Sequence, residues 1–415
     1  MATGVFLSYP TRGHLSPALG VIAELARRGE RVVCFATERY RSWIESLGAE
    51  YRAYAHREDE LNPQPPTAGL FSDMARLGDL TEAMLPNLVD ELRGLAPDYL
   101  LLDSKSLWGN LARQVLGLPA ATLSVVFAIR EGLIDVPQLV PHLYNGASRE
   151  QVVAGLRDFA SYTATAQRLD RRWSVRCPGV VSFLGNPQDL NVVFTSRRFQ
   201  LAGDHFDDGY AFVGPSLGPR PDAGDFPFDE LGDEPLIYVS LGTVFNTDLS
   251  FYRACFAAFG DRPVRVVLSV GQEIDRAALG VPPSNFLVRS FVPQLAVLER
   301  ASLFVTHGGM NSANEGLLHG VPLLVVPQRG DQHLVAARVT ELGAGLGLHP
   351  SAVDAERLWE MASRILDEPS FKSAAVDLSA DLASAGGPVR AADEILARLC
   401  LKDRGLSLIE ARGCL

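Results

Sequence analysis

Residues 304–322 read FVTHGGMNSANEGLLHGVP, in which a strand-like run meets two glycines and a helix-like run follows at once. A strand that ends at His307 and a helix that restarts near Asn311 are typical of a parallel α/β sheet. Glycines let a backbone approach a bound group closely, and the N–H groups of a helix start suit an anion such as phosphate. The spacing of Ser312 and Glu315 also fits a capping box, so structural capping and ligand binding both stay open for this turn.

Composition narrows the class of protein. The 415-residue chain suggests two or three domains of about 150 residues each. A hydrophobic fraction of 47% supports buried cores, and a formal net charge of −11 disfavours a nucleic-acid binder, which needs a basic face. Five cysteines without CxxC spacing are typical of a reducing compartment. With no signal-like start and no apolar run near the ~20 residues of a membrane span, the sequence predicts a cytoplasmic protein without membrane insertion.

Short apolar runs alternate with amphipathic runs in both halves of the chain. The apolar runs predict buried strands at 5–10, 31–37, 99–103, 121–126, 236–242, 264–271, 303–306 and 323–328. Amphipathic runs predict helices at 17–29, 333–343 and 355–368. In the first of these helices, Ser16 is the expected N-cap, Pro17 the first helical residue and Gly29 the residue beyond the C-terminus. The alternation predicts parallel sheets covered by helices.

A stretch rich in proline and acidic residues separates the two halves and predicts a linker. The predicted organisation is an α/β domain, the linker, a second α/β domain and a helical tail, at 1–214, 215–235, 236–386 and 387–415. Two stretches of the first half, 56–74 and 127–190, fit no sheet, and long irregular segments of this kind are often functional.

Four strand ends of the second half carry small or polar side chains. They are SLGT at 240–243, FVPQ at 291–294, the glycine turn after Thr306, and PQRGDQH at 327–333. Ligands bind at the carboxyl ends of the strands in open α/β sheets, so these four ends together favour a pocket.

Residues 291–332 resemble the nucleotide-sugar signature of family-1 glycosyltransferases, most of all bacterial macrolide and natural-product glucosyltransferases. The resemblance covers FVPQLAVLERASLFVTHGGMNSANEGLLHGVPLLVVPQRGDQ. It implies the α/β GT-B fold, in which two Rossmann-like, doubly wound domains face each other across a cleft. It also implies two binding partners, a nucleotide-sugar donor and a hydrophobic small-molecule acceptor.

The resemblance assigns roles to residues of the second half. Gln294 would hydrogen-bond the base, and Phe291 would stack on it. Glu315 would bind the ribose hydroxyls, and Asp331 and Gln332 would bind those of the sugar. The groups at the diphosphate would be Ser240, Thr243, His307, Gly309, Met310, Asn311 and Ser312.

One departure from the family pattern bears on the donor. The family often places a tryptophan where this chain has Phe291, which stacks with less area. The choice between uridine and thymidine nucleotides therefore stays open. UDP-glucose is the expected donor, with a TDP-sugar as the alternative.

Residues 10–17, PTRGHLSP, place His14 between the first strand and the first helix. A lone loop histidine is commonly a polar residue bonded to the backbone, but the positive end of a helix dipole disfavours imidazolium and keeps the ring ready to accept a proton. Asp103, at the end of a predicted strand, could orient that ring, or Asp103 or Ser104 could cap the next helix. The motifs GHLSP and LLDSKSLWG match the family's catalytic histidine and its partner aspartate, so the resemblance implies these roles for His14 and Asp103.

The implied reaction is inverting O-glycosyl transfer to a hydroxyl of a macrolide, polyketide or phenolic compound. A sugar-nucleotide epimerase of the same fold and a non-catalytic nucleotide-sugar-binding partner protein are the alternatives. A Rossmann oxidoreductase is disfavoured because no G-x-G-x-x-G follows the first strand. No His, Cys, Asp or Glu set has metal-ligand spacing, so a reaction without metal or cofactor is expected.

Overall fold

The chain forms two compact units, Met1–Arg220 with Gly386–Leu415, and Pro221–Ala385. The structure is a computed structural model that describes residues 1–56, 61, 69–132, 148–218, 226–242, 246–272 and 274–400. The division between the units lies inside the predicted linker 215–235.

The first unit is built on a seven-stranded parallel sheet. Its strands are β1 Thr3–Leu7, β2 Arg31–Ala36, β3 Glu50–Ala53, β4 Tyr99–Asp103, β5 Ala120–Ser124, β6 Leu190–Val193 and β7 Tyr210–Phe212. Their order is β3-β2-β1-β4-β5-β6-β7, with Val5 opposite both Val33 and Leu100. The central strands are apolar throughout because helices cover both faces of a parallel sheet.

The second unit contains a six-stranded parallel sheet. Its strands are β8 Leu236–Ser240, β9 Arg265–Ser269, β10 Phe286–Arg289, β11 Leu303–Thr306, β12 Leu323–Val325 and β13 Gly345–Gly347. They follow the order β10-β9-β8-β11-β12-β13. The sequence alternation therefore correctly predicted two parallel α/β sheets, although it did not identify the short strands β3, β6, β7, β10 and β13.

Helices cover the faces of both sheets. In the first unit they are α1 Arg12–Arg27, α2 Arg41–Ser46, α3 Leu70–Leu95, α4 Leu107–Leu116, α5 Arg149–Trp173 and α6 Val180–Gly185. In the second unit they are α7 Leu249–Phe259, α8 Gln294–Leu298, α9 Met310–Leu318, α10 Gln332–Glu341, α11 Ala355–Asp367 and α12 Pro369–Ser384, followed by α13 Gly387–Leu399, which returns to the first unit. Among the described residues, no helix combines the length and apolarity needed to span a membrane.

Helix α1 begins five residues earlier than the sequence predicted. Its N-cap is Thr11, and Pro17 lies inside the helix, so the assignment of Ser16 as N-cap is wrong. The helix starts early because His14 and Leu15 donate backbone hydrogen bonds to the Thr11 carbonyl. The C-terminal prediction is confirmed, since Gly29 has a φ of 87° one residue beyond the C-cap.

The stretch 127–190 was predicted to be irregular, but its described residues include the helices α5 and α6, and residues 133–147 lie outside the described residues. It contains α5, which starts with a capping box between Ser148 and Gln151 that could have revealed the helix. Helix α5 lies along α3, which the sequence reading also missed, and Thr165 donates a 2.8 Å hydrogen bond to Asp79 across the pair. Within 56–74, residues 57–60 and 62–68 lie outside the described residues.

The described part of the predicted tail is helix α13, which packs on the first unit, and residues 401–415 lie outside the described residues. Ala391, Ala392, Ile395 and Leu399 of α13 are buried in the core that contains α1. Arg28, at the end of α1, donates a 2.6 Å hydrogen bond to Asp393. The last helix therefore belongs to the unit that contains the start of the chain.

Gly345 offers a test of how closely the edge strand β13 approaches β12. A Cβ at this position would lie 2.8 Å from the Leu323 carbonyl carbon and 2.9 Å from the Leu323 nitrogen, and neither backbone atom can move aside. We expect Gly345→Ala to lower the free energy of urea unfolding by about 3 kcal/mol or more. The control Gly343→Ala, where the nearest atom is 3.9 Å away and φ is 70°, should lose only about 1–2 kcal/mol. Equal losses would contradict this account of the strand spacing.

Candidate active site

In the first unit, the ends of two neighbouring strands bring His14 and Asp103 together. Strands β1 and β4 are hydrogen-bonded neighbours, so the helix after β1 starts beside the residue that ends β4. His14 Nδ1 lies 3.0 and 2.9 Å from the two oxygens of Asp103. A carboxylate can only accept, so Nδ1 carries the proton and Nε2 is left as the basic nitrogen.

The Asp103 carboxylate is only 1% exposed and accepts hydrogen bonds from two donors, while the backbone carbonyl of the same residue accepts a third. Besides His14, the backbone N–H of Lys105 donates to Asp103 Oδ1 at 2.7 Å. The side chain of Asn186 donates to the Asp103 carbonyl at 3.1 Å. Helix α4 has Ser106 as its N-cap without a side-chain cap bond, so the alternative that Asp103 or Ser104 caps this helix is wrong.

Tyr9 forms one wall against the His14 imidazole, and the sequence reading missed it. The two ring centroids are 5.2 Å apart in an edge-on arrangement. Tyr9 is 5% exposed, and its hydroxyl accepts a 3.2 Å hydrogen bond from Arg76. The available signal was its position near the end of the predicted strand 5–10, two residues beyond the observed end of β1.

In the second unit, the glycine turn after β11 is the start of a helix without a side-chain cap. Helix α9 begins at Met310 with Gly309 as its N-cap. The capping-box alternative for Ser312 and Glu315 is therefore wrong, because the helix starts two residues before Ser312. Gly308 has a φ of 81°, which favours glycine. The backbone N–H groups of this helix start, with the positive end of the helix dipole, suit a phosphate.

His307 is wedged between two glycines. A Cβ on Gly242 would lie 2.5 Å from His307 Cε1, and a Cβ on Gly309 would lie 2.5 Å from Nε2. Burial lowers the pKa of His307 to about 4, although a hydrogen bond that the ring donates to the Ser240 backbone partly opposes this shift. The imidazole is therefore neutral at physiological pH.

Ser240 ends β8, and its hydroxyl accepts a 3.2 Å hydrogen bond from the Gly242 N–H. Thr243 lies outside the described residues. On helix α9, the Met310 side chain is 4% exposed, so only its backbone is suited to contact a ligand, while Asn311 and Ser312 are half-buried.

Gln294 and Glu315, which come from different helices, are bonded to each other. Gln294 Nε2 donates to Glu315 Oε2 at 2.7 Å, and the Tyr238 hydroxyl lies 3.0 Å from Gln294 Oε1. Both ends of the Gln294 amide are thus engaged by protein groups, which the sequence reading did not foresee. Phe291, three residues earlier, is 45% exposed and presents an aromatic surface to solvent.

Asp331 and Gln332 lie where β12 leads into α10. Asp331 is the N-cap residue and is half-buried, and Gln332 is 8% exposed. The Gln332 side-chain oxygen accepts hydrogen bonds from the N–H groups of Gln328 at 2.7 Å and Arg329 at 3.1 Å. Gln332 therefore shapes the loop before it, and its amide NH₂ is the end suited to a ligand.

The predicted residues thus form one group in each unit. His14 and Asp103 are joined in the first unit, and the described members of the second set lie at the carboxyl edge of the second sheet. Within the part of the chain that the structure describes, no three His, Cys, Asp or Glu side chains are grouped as a metal site would require.

Comparison with known proteins shows that the chain is similar to glycosyltransferases. A family model described as erythromycin biosynthesis protein CIII-like, C-terminal domain, matches residues 255–398. The chain is similar to the uncharacterised UDP-glucosyltransferase YojK of Bacillus subtilis (strain 168), with 33% identity over 95% of this chain and 97% of the relative. It is also similar to the NDP-glycosyltransferase YjiC of the same strain, with 35% identity over 94% of this chain and 95% of the relative.

A solved structure gives the same result. The glycosyltransferase of kitacinnamycin superposes with a TM-score of 0.81 and 30% identity, covering 95% of this chain and 98% of that one. The similarity therefore extends over both units and not only over the glycine-rich motif.

The low pKa of His307 predicts a pH dependence of stability. An unfolded histidine titrates near pH ~6.5, so below that pH the unfolded chain binds a proton that the folded chain resists. In the folded chain the pKa of His307 is about 4. The stability contributed by the neutral ring is therefore fully present above pH ~6.5 and is lost as the pH falls from there towards the folded pKa. Between pH 7 and pH 5 we expect the wild type to lose roughly 1–2 kcal/mol more unfolding free energy than His307→Gln.

Urea unfolding of both proteins at the two pH values measures this difference. If His307→Gln and the wild type lose the same stability, His307 is not buried as a neutral group.

Proposed function

Because the chain belongs to the family-1 glycosyltransferases of the GT-B fold, of the macrolide and natural-product type, we propose that it transfers glucose from UDP-glucose to a hydroxyl of a hydrophobic small molecule. The proposed reaction inverts the configuration at the anomeric carbon of the sugar. The donor proposal is supported by the relative named as a UDP-glucosyltransferase. The acceptor proposal is supported by the erythromycin-type family model and by the similarity to the glycosyltransferase of kitacinnamycin.

The observation that carries the proposal is the hydrogen bond from His14 Nδ1 to the buried Asp103 carboxylate. It fixes the tautomer in which Nε2 can take the proton from an acceptor hydroxyl. As the acceptor oxygen attacks the anomeric carbon, the ring becomes a cation, which the adjacent carboxylate stabilises. A positioned general base of this kind typically contributes ~10²–10⁴ to the rate.

The second unit supplies groups that suit the departing nucleoside diphosphate. When the bond between the anomeric carbon and the phosphate oxygen breaks, negative charge develops on the diphosphate. The N–H groups at the start of α9 and its dipole stabilise that charge without reorganisation. A neutral His307 lies beside this helix start without the cost of burying a cation. We propose Asp331 and the Gln332 amide for the glucose hydroxyls.

Substitution of the base gives a direct test. We expect His14→Ala to lose transfer by about 10²–10⁴ because the variant lacks the proposed general base. Binding of UDP-glucose should persist, since the proposed donor groups lie in the other unit. Mass spectrometry would follow a one-hexose gain on pooled macrolide and phenolic acceptors, and calorimetry would follow donor binding. Unchanged turnover in the variant would remove His14 from the mechanism.

Asp103→Asn tests whether Asp103 orients the His14 ring or only supports the fold. The amide keeps the shape of the carboxylate but cannot stabilise the imidazolium, so we expect turnover to fall by about 10²–10⁴ with donor affinity unchanged. The matched control is Asp98→Asn. This carboxylate lies at the amino-terminal ends of the strands of the same sheet, where it accepts a 2.8 Å hydrogen bond from the Thr3 N–H. That control should keep its turnover. A parallel loss of donor binding in Asp103→Asn would indicate a folding role instead.

A further inference from the structure

A chain of hydrogen bonds in the second unit begins inside the sheet and ends on the residue proposed to bind ribose. The Tyr238 hydroxyl lies 3.0 Å from Gln294 Oε1, and Gln294 Nε2 lies 2.7 Å from Glu315 Oε2. These three residues come from strand β8, helix α8 and helix α9. We call them the Tyr238–Gln294–Glu315 relay.

The chemistry of the three groups fixes the direction of the relay. An amide has one accepting end and one donating end, and a carboxylate can only accept. The NH₂ of Gln294 must therefore face Glu315, which turns its carbonyl oxygen towards Tyr238. Only a donor suits that oxygen, and the phenol supplies one. Without the phenol, the half-buried carbonyl would lose this partner, and the amide would be free to rotate away from Glu315.

Packing holds both ends of the relay in place. Tyr238 is 1% exposed, and its ring is stacked on Phe304 of the neighbouring strand at a centroid distance of 4.7 Å. Helix α9 approaches the same strand through Gly316, where a Cβ would lie 3.0 Å from Phe304 Cδ1 and 2.8 Å from Leu323 Cδ2. This close approach brings Glu315, which is 3% exposed, within reach of Gln294.

We infer that Tyr238 is a positioning residue that orients Glu315 through Gln294 and thereby makes the donor site selective for nucleotides with a ribose 2′,3′-diol. The inference rests on the proposed function and on the ribose-binding role that the family resemblance of the sequence implies for Glu315. A carboxylate held in one orientation accepts from both hydroxyls of a diol, whereas a rotating carboxylate does so only part of the time. The relay therefore favours a uridine donor over a 2′-deoxyribose donor such as a TDP-sugar.

Calorimetry with UDP and with 2′,3′-dideoxy-UDP tests the inference. Tyr238→Phe keeps the stacked ring and removes only the hydroxyl. We expect the variant to bind UDP about tenfold more weakly, the value of one hydrogen bond to a charged group. Its affinity for 2′,3′-dideoxy-UDP should change by less than about twofold, because that nucleotide has no hydroxyl for Glu315 to accept from. The readout is the ratio of the two dissociation constants, because general damage to the fold weakens the binding of both nucleotides alike.

Two further variants extend this test of the relay. Gln294→Ala removes the middle of the relay at a half-buried position and should reduce the UDP preference in the same way, even if Tyr238→Phe fails to fold. Tyr162→Phe is the matched control, because it removes a buried tyrosine hydroxyl that donates a 2.7 Å hydrogen bond to the Pro178 carbonyl in the first unit. The control should leave both dissociation constants unchanged.

Glu315→Ala distinguishes failure of the inference from failure of the proposed function. If Glu315→Ala loses the preference for UDP but Tyr238→Phe and Gln294→Ala keep it, the relay is overturned and ribose binding by Glu315 stands. If Glu315→Ala also keeps the preference, the ribose role of Glu315 fails and the inference fails with it. If Tyr238→Phe weakens the binding of both nucleotides equally, the relay does not determine nucleotide specificity and the inference is overturned.

Discussion

Asp103 ends a central strand with 1% exposure, and a carboxylate so far from water must be surrounded by hydrogen-bond donors. The donors come from two sides, the His14 ring and the Lys105 N–H. One requirement therefore fixes both the tautomer of the histidine and the path of the loop after β4. The start of α1 contributes as well, because it places His14 in the first helical turn, next to that strand end. The proposed chemistry of the first unit depends on this single buried charge.

The second unit follows the same logic with different residues. Glu315 is 3% exposed and receives the Gln294 amide, whose other end meets a tyrosine inside the sheet. In each unit, a buried carboxylate is thus held by a neighbouring polar side chain. The difference is chemical: in the first unit the carboxylate orients a base, and in the second we propose that it reads a ribose.

Close backbone approach is the other device shared by these sites. His307 fits only because Gly242 and Gly309 have no side chains, and α9 reaches the sheet through Gly316. A histidine enclosed in this way stays neutral at physiological pH. The two histidines of the proposed mechanism therefore differ in their surroundings: His14 faces a carboxylate, whereas His307 is packed against backbone.

Local patterns identified the elements whose signal is local. Strands 99–103 and 303–306 were predicted to the residue, because buried strands of a parallel sheet are apolar throughout. The start of α1 was predicted wrongly because Ser16 and Pro17 carry a strong local capping signal, yet the backbone bonds to Thr11 extend the helix by another turn. The short edge strands β3, β7 and β13 were missed because three or four residues carry too little periodicity.

The sequence by itself determined two parallel α/β sheets, the glycine turn before α9 and the residue types at the strand ends, since each is a property of a short contiguous segment. Only the tertiary structure decided which of those residues touch. His14 and Asp103 are 89 positions apart, and Tyr238 and Gln294 are 56 apart. Contacts over such separations depend on strand order and on how closely each helix approaches its sheet. Neither quantity is encoded in a local pattern, and that is why the engagement of Gln294 by Tyr238 and Glu315 was visible only in the folded chain.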